Sequence, residues 1–221
     1  MKPTYERGPV TLYLADCRDV LPTLAGIDAV VTDPPYGVGI RYATYEDSLD
    51  NWYALMNEVV PLMRRVAGVV VMPSCAINRM EWWYANHKPD WLIAWYKGSP
   101  GHQAYVGFND WEPHLVWGKP KRAMHDHFQT VCGAPSNHHP CPKPVEWAEW
   151  LVRRLACRGE LIVDPFLGYG ATALACIETG RQFAGVEVAP EYFAATVRRI
   201  DAALDQKRLP FAVEEAECPT R

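Results

Sequence analysis

Residues 160–187, ELIVDPFLGYGATALACIETGRQFAGVE, carry the clearest fold signal in the chain. An apolar strand pattern ends at Asp164, a glycine turn follows, and a helical pattern runs to Gly180, where glycine is favoured just past a helix end. A second apolar strand pattern closes the stretch at Glu187. Strand, turn, helix and strand in this order predict two parallel strands joined by a helix.

The same alternation extends outward along the chain. Strand patterns at VTLYLAD, IDAVVTD, VVVMPS, WLIAWYKG and HLVWGK are interrupted by helical patterns, among them NWYALMNEVVPLMRRVAG and PVEWAEWLVRRLA. Strands alternating with helices favour an α/β fold with a mostly parallel sheet covered on both faces. We expect a single domain over residues 1–221, with a short irregular insertion at about residues 98–137.

A second short stretch, AVVTDPPYGVG at residues 29–39, ends another strand pattern in a stiff turn. Proline fixes φ and keeps the preceding residue extended, so the segment Asp33-Pro34-Pro35 has little conformational freedom. It brings together a carboxylate on Asp33, a backbone carbonyl on Pro34 and an aromatic face on Tyr36. That combination suits a planar group that bears an amine.

Composition limits the class of protein. Of the 221 residues, 49% are hydrophobic and 22% are charged, which excludes a disordered chain. The longest apolar run, VAGVVVM, is too short to span a bilayer, and the first residues lack a signal peptide's apolar segment. We therefore expect a cytoplasmic protein without membrane contact. A net charge of −4 does not by itself indicate a nucleic-acid-binding protein.

The glycine turn points to a cofactor. It fits the pattern G-x-G-x-x-A through Gly168, Gly170 and Ala173, and Glu187 ends the next strand 23 residues after Asp164. A carboxylate at that position can accept both ribose hydroxyls of an adenosine. A glycine turn alone also occurs without a ligand, but the ordered set favours a nucleoside-containing cofactor. The pattern does not distinguish NAD, whose pyrophosphate would lie at the helix N-terminus, from S-adenosylmethionine.

Three motifs in order resemble the amino-directed DNA methyltransferases, in the β subgroup whose catalytic motif precedes the cofactor motif. They are TDPPYG, HPCPKP at residues 139–144 and DPFLGYGATALACIETGRQFAGVEVAPEYFAATVRRI, and the resemblance extends from about residue 12 to residue 200. It implies a Rossmann-like, S-adenosylmethionine-dependent methyltransferase fold with a mostly parallel seven-stranded sheet and helices on both faces. It also implies S-adenosylmethionine as cofactor, DNA as substrate and a restriction-modification setting.

Site residues are carried over from this resemblance position by position. The implied catalytic residues are Asp33, Pro34, Pro35 and Tyr36. Asp33 and Pro34 would accept hydrogen bonds from an exocyclic amine, and Tyr36 would stack on a base extruded from the duplex.

The resemblance also implies a set of cofactor-binding residues: Asp16, Lys143, Asp164, Phe166, Gly168, Gly170 and Glu187. Asp164 would face the methionine amino group, Glu187 the ribose and Asp16 the adenine. Lys143 would belong to the segment that closes over the methionine end.

The chain departs from the family pattern at three positions. Tyr169 and Ala171 replace the common serine and threonine, and Cys141 replaces a common threonine. These changes would weaken hydrogen bonds to the cofactor. The segment at residues 120–137 is also short for a target-recognition region. Sequence specificity would therefore be low, the recognised sequence would be short, or other loops would supply the recognition. So small a methyltransferase would be able to bind DNA as a homodimer.

Several alternatives stay open. An initial aspartate in the catalytic motif is commoner with adenine N6 and an initial serine with cytosine N4, so adenine is favoured and cytosine is the alternative. An RNA or protein-amide methyltransferase, or an inactive binding protein of the same fold, would share the cofactor motif. A zinc site is a further alternative, but the spacing fits no regular finger and we predict no metal. The residues concerned are His125, His127, Cys132, His138, His139 and Cys141.

Overall fold

The computed structural model describes residues 1–98, 103–104, 107–122, 125–131 and 142–206. Its strands are β1 Tyr5–Arg7, β2 Val10–Leu14, β3 Ala29–Val31, β4 Val69–Pro73, β5 Trp91–Tyr96, β6 Gln103–Ala104, β7 Gly107–Phe108, β8 Trp111–Gly118, β9 His127–Gln129, β10 Leu161–Asp164 and β11 Gln182–Glu187. Its helices are α1 Cys17–Val20, α2 Leu49–Val66, α3 Met80–Asn86, α4 Val145–Leu155, α5 Ala171–Thr179 and α6 Pro190–Gln206, with 3-10 turns at Leu21–Thr23 and Ile77–Arg79.

Within the described residues, nine strands form one sheet in the order β1-β2-β11-β10-β3-β4-β8-β5-β9. The run from β2 to β4 is parallel throughout, and β8 is antiparallel to both β4 and β5. The α/β class and the mostly parallel sheet are thereby confirmed. The expected count of seven strands is wrong, because the short strands β1 and β9, three residues each, extend the two edges of the seven inner strands.

Both faces of the sheet are covered by helices, as alternation along β4 shows. Val69 and Val71 pack into a core shared with α4, α5 and α6, whereas Val70 and Met72 pack into a core shared with α1, α2 and α3. Successive strand residues point to opposite faces, so an almost continuous apolar strand fits between two helical layers. In the part of the chain that the structure describes, no helix has the length and apolar character needed to cross a bilayer.

Local signals set the helix ends near the site. The Ser48 side chain accepts a hydrogen bond from the Asn51 amide over 3.3 Å, so α2 begins at Leu49, two residues before the pattern predicted from the sequence. α5 is flanked by two glycines, Gly170 before its first residue and Gly180 after its last, with φ values of +79° and +72°. Both positions adopt the left-handed conformation that favours glycine.

Candidate functional site

Four acidic residues meet at one edge of the sheet. Asp164 and Glu187 are the last residues of β10 and β11, while Asp33 and Asp16 follow the ends of β3 and β2 by two residues. These four strands are parallel and adjacent in the order β2-β11-β10-β3, so their carboxyl ends lie side by side. That edge is where α/β sheets bind their ligands.

A cavity of about 460 Å³ lies at this edge. Its volume falls within the range of roughly 300–1,000 Å³ typical of small-molecule and cofactor sites. Most of the site residues predicted from the sequence line it: Asp16, Asp33, Pro35, Lys143, Asp164, Phe166, Gly168, Gly170 and Glu187. Of the described corner residues, Pro34 is buried, Tyr36 is half-buried, and neither belongs to the lining.

The glycine turn is held by hydrogen bonds to the two acids beside it. Thr32 Oγ1 and the Phe166 amide donate to Asp164 Oδ1 over 2.6 and 3.0 Å. The amides of Gly168 and Ala189 donate to Glu187 Oε2 and Oε1, each over 2.9 Å. These bonds fix both carboxylates, and each carboxylate retains lone-pair capacity for a ligand.

Burial alters the ionisation of both acids. Asp164 is 3% exposed, and burial raises its pKa to about 6 against the hydrogen bonds from Thr32 and Phe166. Burial also raises the pKa of Glu187, and the backbone hydrogen bonds oppose that rise. A cation bound beside Asp164 would favour the ionised form of its carboxyl group.

Asp33 occupies the stiff corner expected from the sequence. Lys143 Nζ lies 2.8 Å from Asp33 Oδ2, and the two side chains are 13% and 19% exposed. Asp33 Oδ1 is buried and has no hydrogen-bond partner among the described residues. Burial raises the pKa of Asp33, and the positive charge of Lys143 opposes the rise. A buried oxygen without a partner is costly, and a ligand that donates a hydrogen bond would remove that cost.

Tyr36 is anchored through its hydroxyl group. The hydroxyl donates to Glu112 and accepts from Lys143 Nζ over 2.9 Å. Lys143 Nζ also lies 4.8 Å from the centroid of the Tyr36 ring. These contacts place Lys143 beside Asp33 and Tyr36 at the corner, and its role at the methionine end of the cofactor stays a prediction.

Asp16 caps α1 and pairs with Arg18. Its Oδ1 accepts from the Arg18 amide over 2.9 Å, and its Oδ2 lies 2.6 Å from the Arg18 guanidinium. The side-chain hydrogen bonds from Arg18 lower the pKa of Asp16. Arg18 also pairs with Glu58 of α2, and all three side chains line the cavity. Arg18 is a cavity residue that the sequence analysis missed.

Two further acids near the corner were missed. Asp47 is 3% exposed and accepts the amides of Gly37, Val38 and Ile40 over 2.7, 3.1 and 3.0 Å, so it holds the loop after the corner. Glu112 of β8 is 7% exposed and accepts from the Tyr36 hydroxyl. The available signal for Glu112 was a lone acid in the apolar strand pattern WEPHLVWG, because buried charges need partners.

Of the histidine-rich segment, the structure describes His125 and His127, and neither lines the cavity. His125 and His127 have ring centroids 5.8 Å apart. Among the described residues, no group of three His, Cys, Asp or Glu side chains is arranged to hold a metal ion. The remaining members of the zinc alternative, Cys132, His138, His139 and Cys141, lie outside the described residues.

A doubly wound sheet with a cofactor-sized cavity at the carboxyl ends of its parallel strands defines the Rossmann-like class of α/β proteins. Within this class, a model of the DNA methylase family that unites N6 and N4 methyltransferases matches residues 82–198, more than half of the chain. The chain therefore belongs to the N6/N4 DNA methylase family.

Individual relatives agree with this assignment. The candidate methylase YubD of Escherichia coli (strain K12) is 28% identical over 203 residues, which cover 85% of this chain and 88% of YubD. The DNA adenine methyltransferase YhdJ of the same organism is 30% identical over 92 residues, covering 41% of this chain and 29% of YhdJ.

Two solved structures share the fold. The complex of M1.HpyAVI with SAM matches with a TM-score of 0.63 at 22% identity, over 87% of this chain and 99% of that one. The cytosine-N4-specific PvuII DNA methyltransferase matches with a TM-score of 0.65 at 17% identity, over 93% and 94% of the two chains. The Rossmann-like methyltransferase fold expected from the sequence is thus confirmed.

Proposed function

We propose that this DNA methylase transfers a methyl group from S-adenosylmethionine to the N6 amine of adenine in DNA. The observation that carries the proposal is the buried Oδ1 of Asp33, which has no hydrogen-bond partner among the described residues and belongs to a side chain that lines the cavity. An exocyclic amine is a donor that would supply the missing bond.

The cavity residues fit S-adenosylmethionine. The Glu187 carboxylate retains lone pairs for the ribose hydroxyls, and Asp164 would ionise beside the methionine ammonium group. Phe166, Gly168 and Gly170 line the same cavity and would lie against the cofactor. When bound, S-adenosylmethionine supplies a methyl group activated by its sulfonium charge.

The proline corner would prepare the amine for attack. The lone pair of an exocyclic amine is delocalised into the base, so the amine is a poor nucleophile. If Asp33 Oδ1 and the Pro34 carbonyl accept its two N–H bonds, the nitrogen is held pyramidal with its lone pair towards the methyl donor. The carboxylate also stabilises the positive charge that develops on nitrogen. Because burial raises its pKa, Asp33 is suited to accept the proton that the methylated amine releases.

The target base has to leave the duplex to reach a recessed corner. We assign the stacking role to Tyr36, because stacking on an aromatic ring stabilises an extruded base. Hydrogen bonds to Glu112 and Lys143 hold the Tyr36 hydroxyl, which restricts the orientation of the ring.

The order of the motifs supports membership of the β subgroup, since the corner at Asp33 precedes the glycine turn at Gly168. We propose that residues 1–221 form one domain and that residues 98–137, of which the structure describes a part, contribute to target recognition. A homodimer on DNA is also part of this proposal. Light scattering of the protein with and without duplex DNA measures its mass directly.

Two points support adenine over cytosine. The catalytic motif begins with Asp33, which is the commoner residue in adenine enzymes. The relative YhdJ is named a DNA adenine methyltransferase, although it matches only part of the chain. Cytosine N4 is the alternative that fits the family equally, as the PvuII enzyme illustrates.

The test is expression of the protein in cells that lack DNA methylation, followed by sequencing of their DNA for modified bases. We expect N6-methyladenine at a recurrent sequence, and no modification with Asp33→Ala. Calorimetry should show that Asp33→Ala still binds S-adenosylmethionine, because Asp33 contacts the base side of the site. N4-methylcytosine would contradict the adenine assignment. Methyl label on RNA or protein but not on DNA would contradict DNA as the substrate.

A further inference from the structure

We propose that Glu112 is a positioning residue for methyl transfer: it holds the Tyr36 hydroxyl and thereby orients the ring that we assign to the extruded base. This inference rests on the proposed function and adds a residue to the proline corner. Glu112 contributes no atom to the described cavity lining and would act through Tyr36.

Five side chains form a continuous polar chain behind the corner. Lys97 Nζ lies 3.4 Å from Glu112 Oε2, the Tyr36 hydroxyl donates to Glu112 Oε1, and Lys143 joins the Tyr36 hydroxyl to Asp33. Two carboxylates thus face two ammonium groups, with the Tyr36 hydroxyl between Glu112 and Lys143. The chain begins at a half-buried lysine, 23% exposed, and ends at the carboxylate that lines the cavity.

The backbone of Glu112 is held in the β5–β8 ladder, and the β4–β8 ladder ends two residues away, at His114. β8 lies between β4 and β5, and Glu112 is paired in register with Trp95 of β5. Lys97 Nζ and Lys143 Nζ each lie 6.0 Å from the Trp95 ring centroid, so both cations flank the strand position opposite Glu112. Burial and the contact with Lys97 restrict the Glu112 carboxylate, which in turn restricts where the Tyr36 hydroxyl can lie.

The charge of Glu112 is maintained by its neighbours. Burial acts to raise the pKa of Glu112, but Lys143, His114 and Lys97 together bring it below its ordinary value. The ionised carboxylate is thus the acceptor to which the Tyr36 hydroxyl donates. Lys143 links this hydroxyl to the corner, because its ammonium group donates to the Tyr36 hydroxyl and pairs with Asp33.

Removing this charge would disturb the base side of the site and spare the cofactor side. With a neutral amide in place of Glu112, the negative charge that faces Lys97 is lost. The Tyr36 hydroxyl also loses its charged acceptor. The lost hydrogen bond is one to a charged group, and its loss leaves the Tyr36 ring less firmly oriented. We therefore expect kcat/KM for DNA to fall roughly tenfold to hundredfold.

The test uses Glu112→Gln, Tyr36→Phe and the double variant in the full chain. The substrate is DNA from methylation-free cells, and the readout is transfer of tritiated methyl from S-adenosylmethionine. Calorimetry measures the affinity of each variant for S-adenosylmethionine. Glu178→Gln, an exposed glutamate of α5, is the matched control and should behave as the wild type.

If Glu112 acts through the Tyr36 hydroxyl, Glu112→Gln lowers kcat/KM for DNA with unchanged cofactor affinity, and the double variant is no worse than Tyr36→Phe. Independent, additive losses would overturn the inference. So would wild-type kinetics in Glu112→Gln, or an equal loss of cofactor affinity, which would mark a structural residue. If the wild type transfers no label to DNA, the proposed function itself is wrong and this inference with it.

Discussion

Burial raises the pKa of Asp164 to about 6, so this carboxyl group loses its negative charge as the pH falls below that value. The proposed ligand at this position is an ammonium group, which favours the ionised carboxylate. Protonation therefore competes with cofactor binding as the pH falls through the pKa of Asp164. We expect the affinity for S-adenosylmethionine to be roughly tenfold weaker at pH 5 than at pH 7, as measured by calorimetry.

The matching variant is Asp164→Asn, which removes the titrating group. Its affinity should be low at both pH values and should not change between them. An affinity of the wild type that stays constant from pH 5 to pH 7 would show that Asp164 does not face the cofactor cation.

The sequence predicted those site residues that lie close together along the chain. Asp33, Pro34 and Tyr36 are consecutive or nearly so, and the corner they form follows from proline stereochemistry alone. Glu112 contacts Tyr36 across 76 positions of the chain, and no local pattern encodes that contact. Lys143 was found through the resemblance, but its ion pair with Asp33 depends on tertiary packing.

Among the elements, the turn before α5 has a steric requirement that can be tested. A Cβ atom at Gly170 would lie 2.5 Å from Thr196 Cγ2, and Thr196 is held by its own hydrogen bond to the Gly168 carbonyl. Gly170→Ala combines this clash with a left-handed backbone, so we expect a loss of at least about 2 kcal/mol in the free energy of unfolding. Urea denaturation measures it.

Gly26→Ala is the control for backbone strain alone. Gly26 has φ +69°, and an added Cβ there meets no atom within 4 Å. We expect Gly26→Ala to cost about 1 kcal/mol and to leave cofactor affinity unchanged. Equal losses in the two variants would show that Thr196 yields and that the turn is not closely packed.

The loop that follows the corner depends on Asp47. Its carboxylate accepts three backbone amides, from Gly37, Val38 and Ile40, and replacing it leaves these donors without their acceptor. We expect Asp47→Ala to lower the free energy of unfolding by about 2–3 kcal/mol, since hydrogen bonds to a charged group are strong and buried donors are costly to leave unpaired. Thermal unfolding measures the change.

Asp47→Asn should lose less, because the amide oxygen still accepts. Asp50→Ala provides the comparison for an exposed acid in the first turn of α2, and its cost should stay below about 1 kcal/mol. If Asp47→Ala is as stable as Asp50→Ala, the loop does not depend on the Asp47 carboxylate.

The elements missed from the sequence share physical causes. Three-residue strands such as β1 and β9 are too short to display alternation, and they form because they pair with longer neighbours. β8 begins at Trp111, three residues before the His114 start predicted from the sequence. Pro113 lacks an N–H group, but it still pairs opposite Ala94, and its carbonyl accepts the Ser74 amide.

The order of the strands in the sheet could not be predicted from the sequence pattern. Alternation of strands and helices predicts parallel neighbours, and the order β2-β11-β10-β3-β4 brings the first and last thirds of the chain together. The acids of the site therefore come from distant positions, and only the shared carboxyl edge unites them. The resemblance implied a cofactor site that includes three of these acids, Asp16, Asp164 and Glu187.

The net charge of the molecule predicts how it binds DNA. With 22 Lys and Arg against 26 Asp and Glu, the chain has a net charge of −4, so attraction to DNA has to come from a few local phosphate contacts. The slope of log affinity against log salt is about −0.9 for each phosphate neutralised, and we expect a slope of roughly −3 to −5. Fluorescence anisotropy of a labelled duplex between about 50 and 200 mM NaCl measures it. Glu178→Gln raises the net charge without adding a phosphate contact and should leave the slope unchanged. A slope of about −8 or steeper would require an extended basic surface, in contradiction to this prediction.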